Sequence, residues 1–107
     1  MPVTGQDATV EGLQNILAGT QCMTVYNSAK EEAGALADAA IALANGQQPK
    51  TNSTSRDDKG NRDVPSVLLT PKSITKDNVN VVFNDGGQSK DDVCAGQFAA
   101  MCTAAGL

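Results

Sequence analysis

Apolar residues at Val10, Leu13, Ile16 and Leu17 recur at helical spacing, and Ala18-Gly19 closes the run as a C-cap does. This pattern predicts a short amphipathic helix over residues 8–18. Ahead of it, Pro2-Val3-Thr4 reads as a short buried strand, Gly5 as the residue that permits a sharp turn, and Asp7 as the N-cap of the helix. Gln21-Cys22-Met23-Thr24-Val25-Tyr26 favours β structure and is expected to form a buried parallel strand, with Cys22 a free core thiol. A strand-helix-strand unit returns parallel, so Asn27 is expected to leave the second strand on the edge where Asp7 leaves the first.

Ser28-Ala29-Lys30-Glu31 has the spacing of a capping box and opens a helix expected over 29–45. One face of that helix carries Ala33, Leu36, Ala37, Ala40, Ile41 and Ala44, which predicts close packing in a core; Gly34 is its weak point. From Gln47 to Asp63 no aliphatic residue occurs, and the stretch reads as a solvated loop. Val64-Pro65-Ser66-Val67-Leu68-Leu69-Thr70-Pro71 is the most β-like run, with its prolines confining regular pairing to a short strand at Ser66–Thr70. A helix over 75–84 presents Val79, Val82 and Phe83 and is broken by Asp85-Gly86-Gly87. A last one over 90–105 presents Val93, Phe98, Met101 and Ala105. Strands alternating with helices give an α/β fold with a parallel sheet flanked by helices.

The 107 residues suffice for one domain, and with Tyr26, Phe83 and Phe98 as the whole aromatic content, its core must be aliphatic. The net charge of −4 and the scattered basic residues argue against nucleic acid or an anionic membrane as partner. No apolar run is long enough to span a membrane, and Met1-Pro2-Val3 is not a signal peptide.

The chain has no histidine, no Cys-x-x-Cys, no nucleophile elbow and no phosphate-binding glycine loop, so neither metal, cofactor nor enzyme chemistry is expected. Asp57-Asp58 and Asp91-Asp92 are adjacent pairs whose side chains diverge, which makes them surface charges rather than acid/base couples. Cys94 and Cys102 would lie about 12 Å apart in an unbroken helix, too far for a disulfide, so a bridge requires the helix to break, most naturally at Gly96.

Pro2-Val3-Thr4-Gly5-Gln6-Asp7-Ala8, then Met23-Thr24-Val25-Tyr26, Val64 through Pro71, and Thr75-Lys76-Asp77-Asn78 follow one another in an order that resembles the C-terminal part of the xylose-binding proteins of bacterial ABC importers. These are periplasmic sugar-binding proteins of the ribose-binding type. The resemblance runs over nearly the whole chain and implies a fragment of the type I periplasmic-binding-protein fold. On that basis residues 1–27 are part of the C-terminal lobe with the sugar-contacting strand ends. Residues 28–63 are a crossover helix and polar loop, and residues 64–107 the hinge-return strand and C-terminal helices.

The resemblance also implies a role for Asp7, whose position in the family is an aspartate that binds sugar hydroxyls. At the position of Asn27 the xylose binders usually carry lysine. The departure weakens the implication of xylose and leaves that of a small sugar. Gln6 is a neighbour able to support Asp7. The implied partners are a monosaccharide and, for the intact protein, ABC permease subunits; the implied location is extracytoplasmic, periplasmic or lipid-anchored at the cell surface. Export would favour the Cys94–Cys102 bridge, two buried thiols being the alternative. Sheet edges and helix faces left uncovered in a fragment imply self-association. Two other readings are the sugar-sensing domain of a transcription repressor of this fold, and a small interaction module without a ligand.

Overall fold

The computed structural model describes residues 1–107. In chain order it contains β1 (Thr4–Gln6), α1 (Val10–Ala18), β2 (Met23–Tyr26), α2 (Ala29–Ala44), β3 (Ser53–Asp57), β4 (Arg62–Ser66) and β5 (Lys72–Ile74). There follow α3 (Asn80–Asn84), α4 (Lys90–Val93), a 3-10 turn (Gly96–Phe98) and α5 (Ala99–Ala104). The chain divides into two units, one formed by Met1–Ser28 with Pro71–Leu107 and the other by Ala29–Thr70.

The first unit is built on a three-stranded sheet of order β1-β2-β5. β1 and β2 are parallel, with Thr4 opposite Met23, Gly5 opposite Thr24 and Gln6 opposite Val25. β5 adds antiparallel to β2 and sends Ile74 into the interior. α1 crosses between the parallel strands with Leu13, Ile16 and Leu17 buried. The N–H of Gly19, at φ 79°, closes it onto the carbonyls of Asn15 and Ile16. Val79 and Val82 before and within α3, Val93 at the end of α4, and Cys102 in α5 complete one aliphatic core with Ala8 and Tyr26. Gln14 on α1 donates from Nε2 to the Val93 carbonyl at 3.1 Å, which ties the crossover helix to α4.

The expected helix over 90–105 is three pieces. Ser89 caps α4 by accepting from the Asp92 N–H, and the helix stops at Cys94. Ala95 is extended and Gly96 takes φ 56°, so the chain turns back, and Cys94 and Cys102 are disulfide-bonded with their Cα atoms 5.8 Å apart. The helix expected over 75–84 is shorter too. Asn78 accepts from the Thr75 N–H and donates to the Ser73 carbonyl, holding a turn that delays α3 until Asn80. Cys22 precedes β2 and is exposed, not a core thiol.

In the second unit the polar stretch read as a loop contains a β-hairpin. β3 and β4 pair antiparallel from Ser53–Ser66 to Asp57–Arg62. Its turn is closed by Asp57, whose carboxylate accepts from the Gly60 N–H at 2.9 Å and pairs with Arg62 at 3.3 Å. Asn61 takes φ 47° in the same turn, and its side chain accepts from Arg56. Turn geometry rather than an apolar face fixes this register, so alternation of hydrophobic residues gives no signal for it.

The strand expected at Ser66–Thr70 is absent. β4 ends at Ser66, and Leu68 is held by Asn52, whose side-chain amide accepts from its N–H and donates to its carbonyl at 2.8 and 2.9 Å. The face of α2 expected in a core is exposed: no residue of α2 is buried. The residues covered in part are Ala35, Ala39 and Ala42 on the other side, along a groove of about 460 Å³ shared with Gln47, Gln48, Lys50 and Val67.

Candidate functional site

The carboxyl ends of β1 and β2 lie side by side because the strands are parallel and in register. Beyond Gln6 the chain turns sharply. The Asp7 N–H donates to the Val25 carbonyl at 2.8 Å, and the Ala8 N–H donates to the buried hydroxyl of Thr24 at 3.2 Å. Both residues are forced into the left-handed region, Asp7 at φ 74° and Ala8 at φ 45°. Such conformations cost of order 1–3 kcal/mol each and persist only where surrounding contacts over-determine them. Here the two bonds to β2 and the complete burial of the Ala8 methyl do so.

Asp7 is therefore not the N-cap of α1. That role falls to Thr9, whose hydroxyl accepts from the Gly12 N–H at 3.1 Å. With Thr9 as the cap, the Asp7 carboxylate is exposed and makes no intramolecular hydrogen bond or ion pair. Gln6, the last residue of β1, is exposed as well, and no hydrogen bond links its amide to Asp7. Asn27 follows β2 directly and is half-buried. A carboxylate and two amides thus emerge from one edge of the parallel pair. Together they offer acceptors and donors at a place where open α/β sheets receive polar ligands.

Tyr26 precedes Asn27 and is 5% exposed; its hydroxyl donates to a carboxyl oxygen of Asp85 at 2.6 Å. Gly87 lies so close that a Cβ there would collide with the ring and hydroxyl of Tyr26. Asp85 and Gly87 therefore anchor the end of β2 from which Asn27 leaves. In the sequence, Asp85-Gly86-Gly87 reads only as a helix breaker. Nothing in the local pattern signals a contact between positions 59 residues apart. No three potential metal-ligating side chains come together.

A parallel strand pair with a helical crossover and a polar carboxyl edge is the β-α-β unit of an open α/β sheet, and comparison with known proteins says which family of folds it resembles. The chain is 41% identical over 92 residues to the D-xylose-binding periplasmic protein of Escherichia coli K12, a match covering 85% of this chain and 27% of that protein. It is 37% identical over 90 residues to the multiple sugar-binding periplasmic receptor ChvE of Rhizobium radiobacter, covering 84% of this chain and 25% of the receptor.

Among solved structures, the carbohydrate transporter solute-binding protein of Chloroflexus aurantiacus in complex with D-glucose superposes with a TM-score of 0.77 at 35% identity. That match covers 84% of this chain and 26% of the other. An ABC transporter solute-binding protein of Clostridium phytofermentans with bound β-D-glucose gives a TM-score of 0.76 at 27% identity, over 85% and 28% of the two chains. No family profile matches the sequence. The chain is thus a homologue of part of the periplasmic sugar-binding proteins and has a fragment of their fold. It spans about a quarter of the length of the curated relatives it matches.

Proposed function

We propose that the chain carries one side of a monosaccharide site, as part of the solute-binding component of an ABC sugar importer. Asp7, Asn27 and Gln6 supply its polar contacts. The observation that carries this reading is the juxtaposition at the carboxyl ends of β1 and β2, where the Asp7 carboxylate is exposed and unused by the fold. A carboxylate accepts from two neighbouring hydroxyls, and an amide both donates and accepts, which suits the vicinal hydroxyls of a sugar. The names of the relatives and the glucose in the structural neighbours support the same ligand class. In the intact protein the sugar is enclosed by hinge closure of two lobes, residues 64–107 bring the chain back across that hinge, and permease subunits receive the load. That protein works outside the cytoplasm, the compartment in which a Cys94–Cys102 bridge persists.

Because one side of a site encloses little of the sugar, the 107-residue chain binds weakly. Titrating D-xylose and D-glucose into isotope-labelled protein is expected to move the amide resonances of Asp7 and Asn27 at millimolar sugar. Asp7→Gly removes the response without loss of thermal stability, since glycine relieves the φ of 74°. Responses confined to other regions would refute the site. Micromolar affinity would refute its being partial.

A further inference from the structure

We infer that Thr24 is a positioning residue for Asp7: its buried hydroxyl holds the turn that presents the Asp7 carboxylate to the sugar, a role that rests on the site proposed above. β2 is the central strand of its sheet, with Gly5 of β1 opposite Thr24 on one side and Ile74 of β5 on the other. Thr24 is 1% exposed, so its hydroxyl is closed to a ligand and acts through Asp7. It and Ser28 are the buried polar residues beside an aliphatic core. Valine has the same shape and suits a central strand as well, whereas a buried hydroxyl costs free energy unless it is bonded. Here it accepts from the Ala8 N–H at 3.2 Å. What the hydroxyl adds over a methyl group is therefore a hold on the turn.

The turn needs that hold. Asp7 and Ala8 are successive non-glycine residues in the left-handed region, and an unrestrained chain would relax out of it. The Asp7 N–H, which donates to the Val25 carbonyl at 2.8 Å, fixes the peptide ahead of Asp7. The Ala8 N–H belongs to the peptide behind it, and that one is fixed by Thr24. Asp7 is thus clamped from both sides, which sets the direction of its Cα–Cβ bond. A carboxylate aimed before the sugar arrives loses less freedom on binding.

One hydrogen bond of ordinary net strength biases such a turn about 10-fold, and apparent affinity falls with the fraction of molecules that keep the turn.

The test compares the 107-residue chain with two variants, Thr24→Val, which keeps the shape and removes the acceptor, and Thr24→Ser, which keeps the acceptor. Without sugar, a strong Overhauser effect between the amide and α protons of Asp7 reports its left-handed backbone. With D-xylose or D-glucose, the Asp7 and Asn27 amides report affinity. Thr24→Val is expected to lose the left-handed signature and to bind about 10-fold more weakly. Thr24→Ser is expected to keep the signature and to bind within about 3-fold of the unaltered chain. The methyl resonances of Leu13 and Ile74, both fully buried, stay in place in each. In the unaltered chain the Ala8 amide is expected to exchange its hydrogen slowly, a measurement that needs no variant to fold.

Exchange at the rate of an open loop overturns the inference. So does a Thr24→Val chain that keeps its affinity, or a Thr24→Ser chain that loses as much, which would make Thr24 a packing residue only. An unaltered chain whose Asp7 and Asn27 amides ignore the sugar removes the site and the positioning role together. One that responds, while Thr24→Val responds equally, removes the positioning role alone.

Discussion

Reducing the Cys94–Cys102 bridge should destabilise the first unit by an amount that its loop length sets. The bridge closes a loop of sequence separation 8, for which the chain-entropy relation gives about 2.5 kcal/mol at 25 °C. Native domains hold only about 5–15 kcal/mol in all. In a domain of this size each kcal/mol moves Tm by roughly 4–8 °C, so reduction should lower it by about 10–20 °C. The loss falls on α1 as well, because Cys102 sits in the core with Leu13, Ile16 and Leu17.

The assay is thermal unfolding followed by circular dichroism, with and without a phosphine reductant, in a Cys22→Ser background so that only this bridge responds. Cys22 is exposed, and its replacement is expected to be neutral. The double variant Cys94→Ala, Cys102→Ala should fall slightly below the reduced protein, since it also removes a sulfur that is 2% exposed. A reduced protein melting within about 3 °C of the oxidised one would refute the reasoning, because the loop would then contribute less than about a third of its calculated share.

Other expectations follow from single contacts. Tyr26→Phe removes the hydrogen bond to Asp85 and should cost about 1–2 kcal/mol in urea denaturation. Gly87→Ala drives a methyl into the packed ring of Tyr26 and should cost about 1–3 kcal/mol, with the near-ultraviolet tyrosine signal altered. Leu13→Ala, at a fully buried position, should cost about 2–5 kcal/mol by the same measurement. Leu36→Ala, 73% exposed, should change the stability of the monomer by no more than about 0.5 kcal/mol.

The parts of the fold legible in the sequence are those where a burial pattern and a local stop signal coincide. Leu13, Ile16 and Leu17 followed by Gly19 gave α1, and the β-branched and aromatic content of residues 23–26 gave β2. The hairpin at 53–66 was hidden because both its strands are polar and its register rests on Asp57, Gly60 and Asn61 rather than on hydrophobic alternation. The face of α2 shows a different limit: Leu36 and Ile41 mark a surface that favours burial, and the pattern does not say what buries it.

At the candidate site, Asp7 and Asn27 could be placed at neighbouring strand ends from the strand-helix-strand order alone. The left-handed conformation of Asp7 and the transfer of the capping role to Thr9 could not, since both depend on bonds from the turn to Thr24 and Val25. The link from Tyr26 to Asp85 was equally out of reach, being a tertiary contact with no local trace.

The unit that bears Asp7 and Asn27 is closed by residues from the far end of the chain, with Val93 and Cys102 packed in the core that holds Leu13 and Leu17. During synthesis the opening strand and its crossover helix must therefore wait, half assembled, until Cys102 has been translated. A ribosome stalled short of Cys102 would hold a nascent chain sensitive to protease throughout residues 1–28, and folding of this unit would be slow for its size.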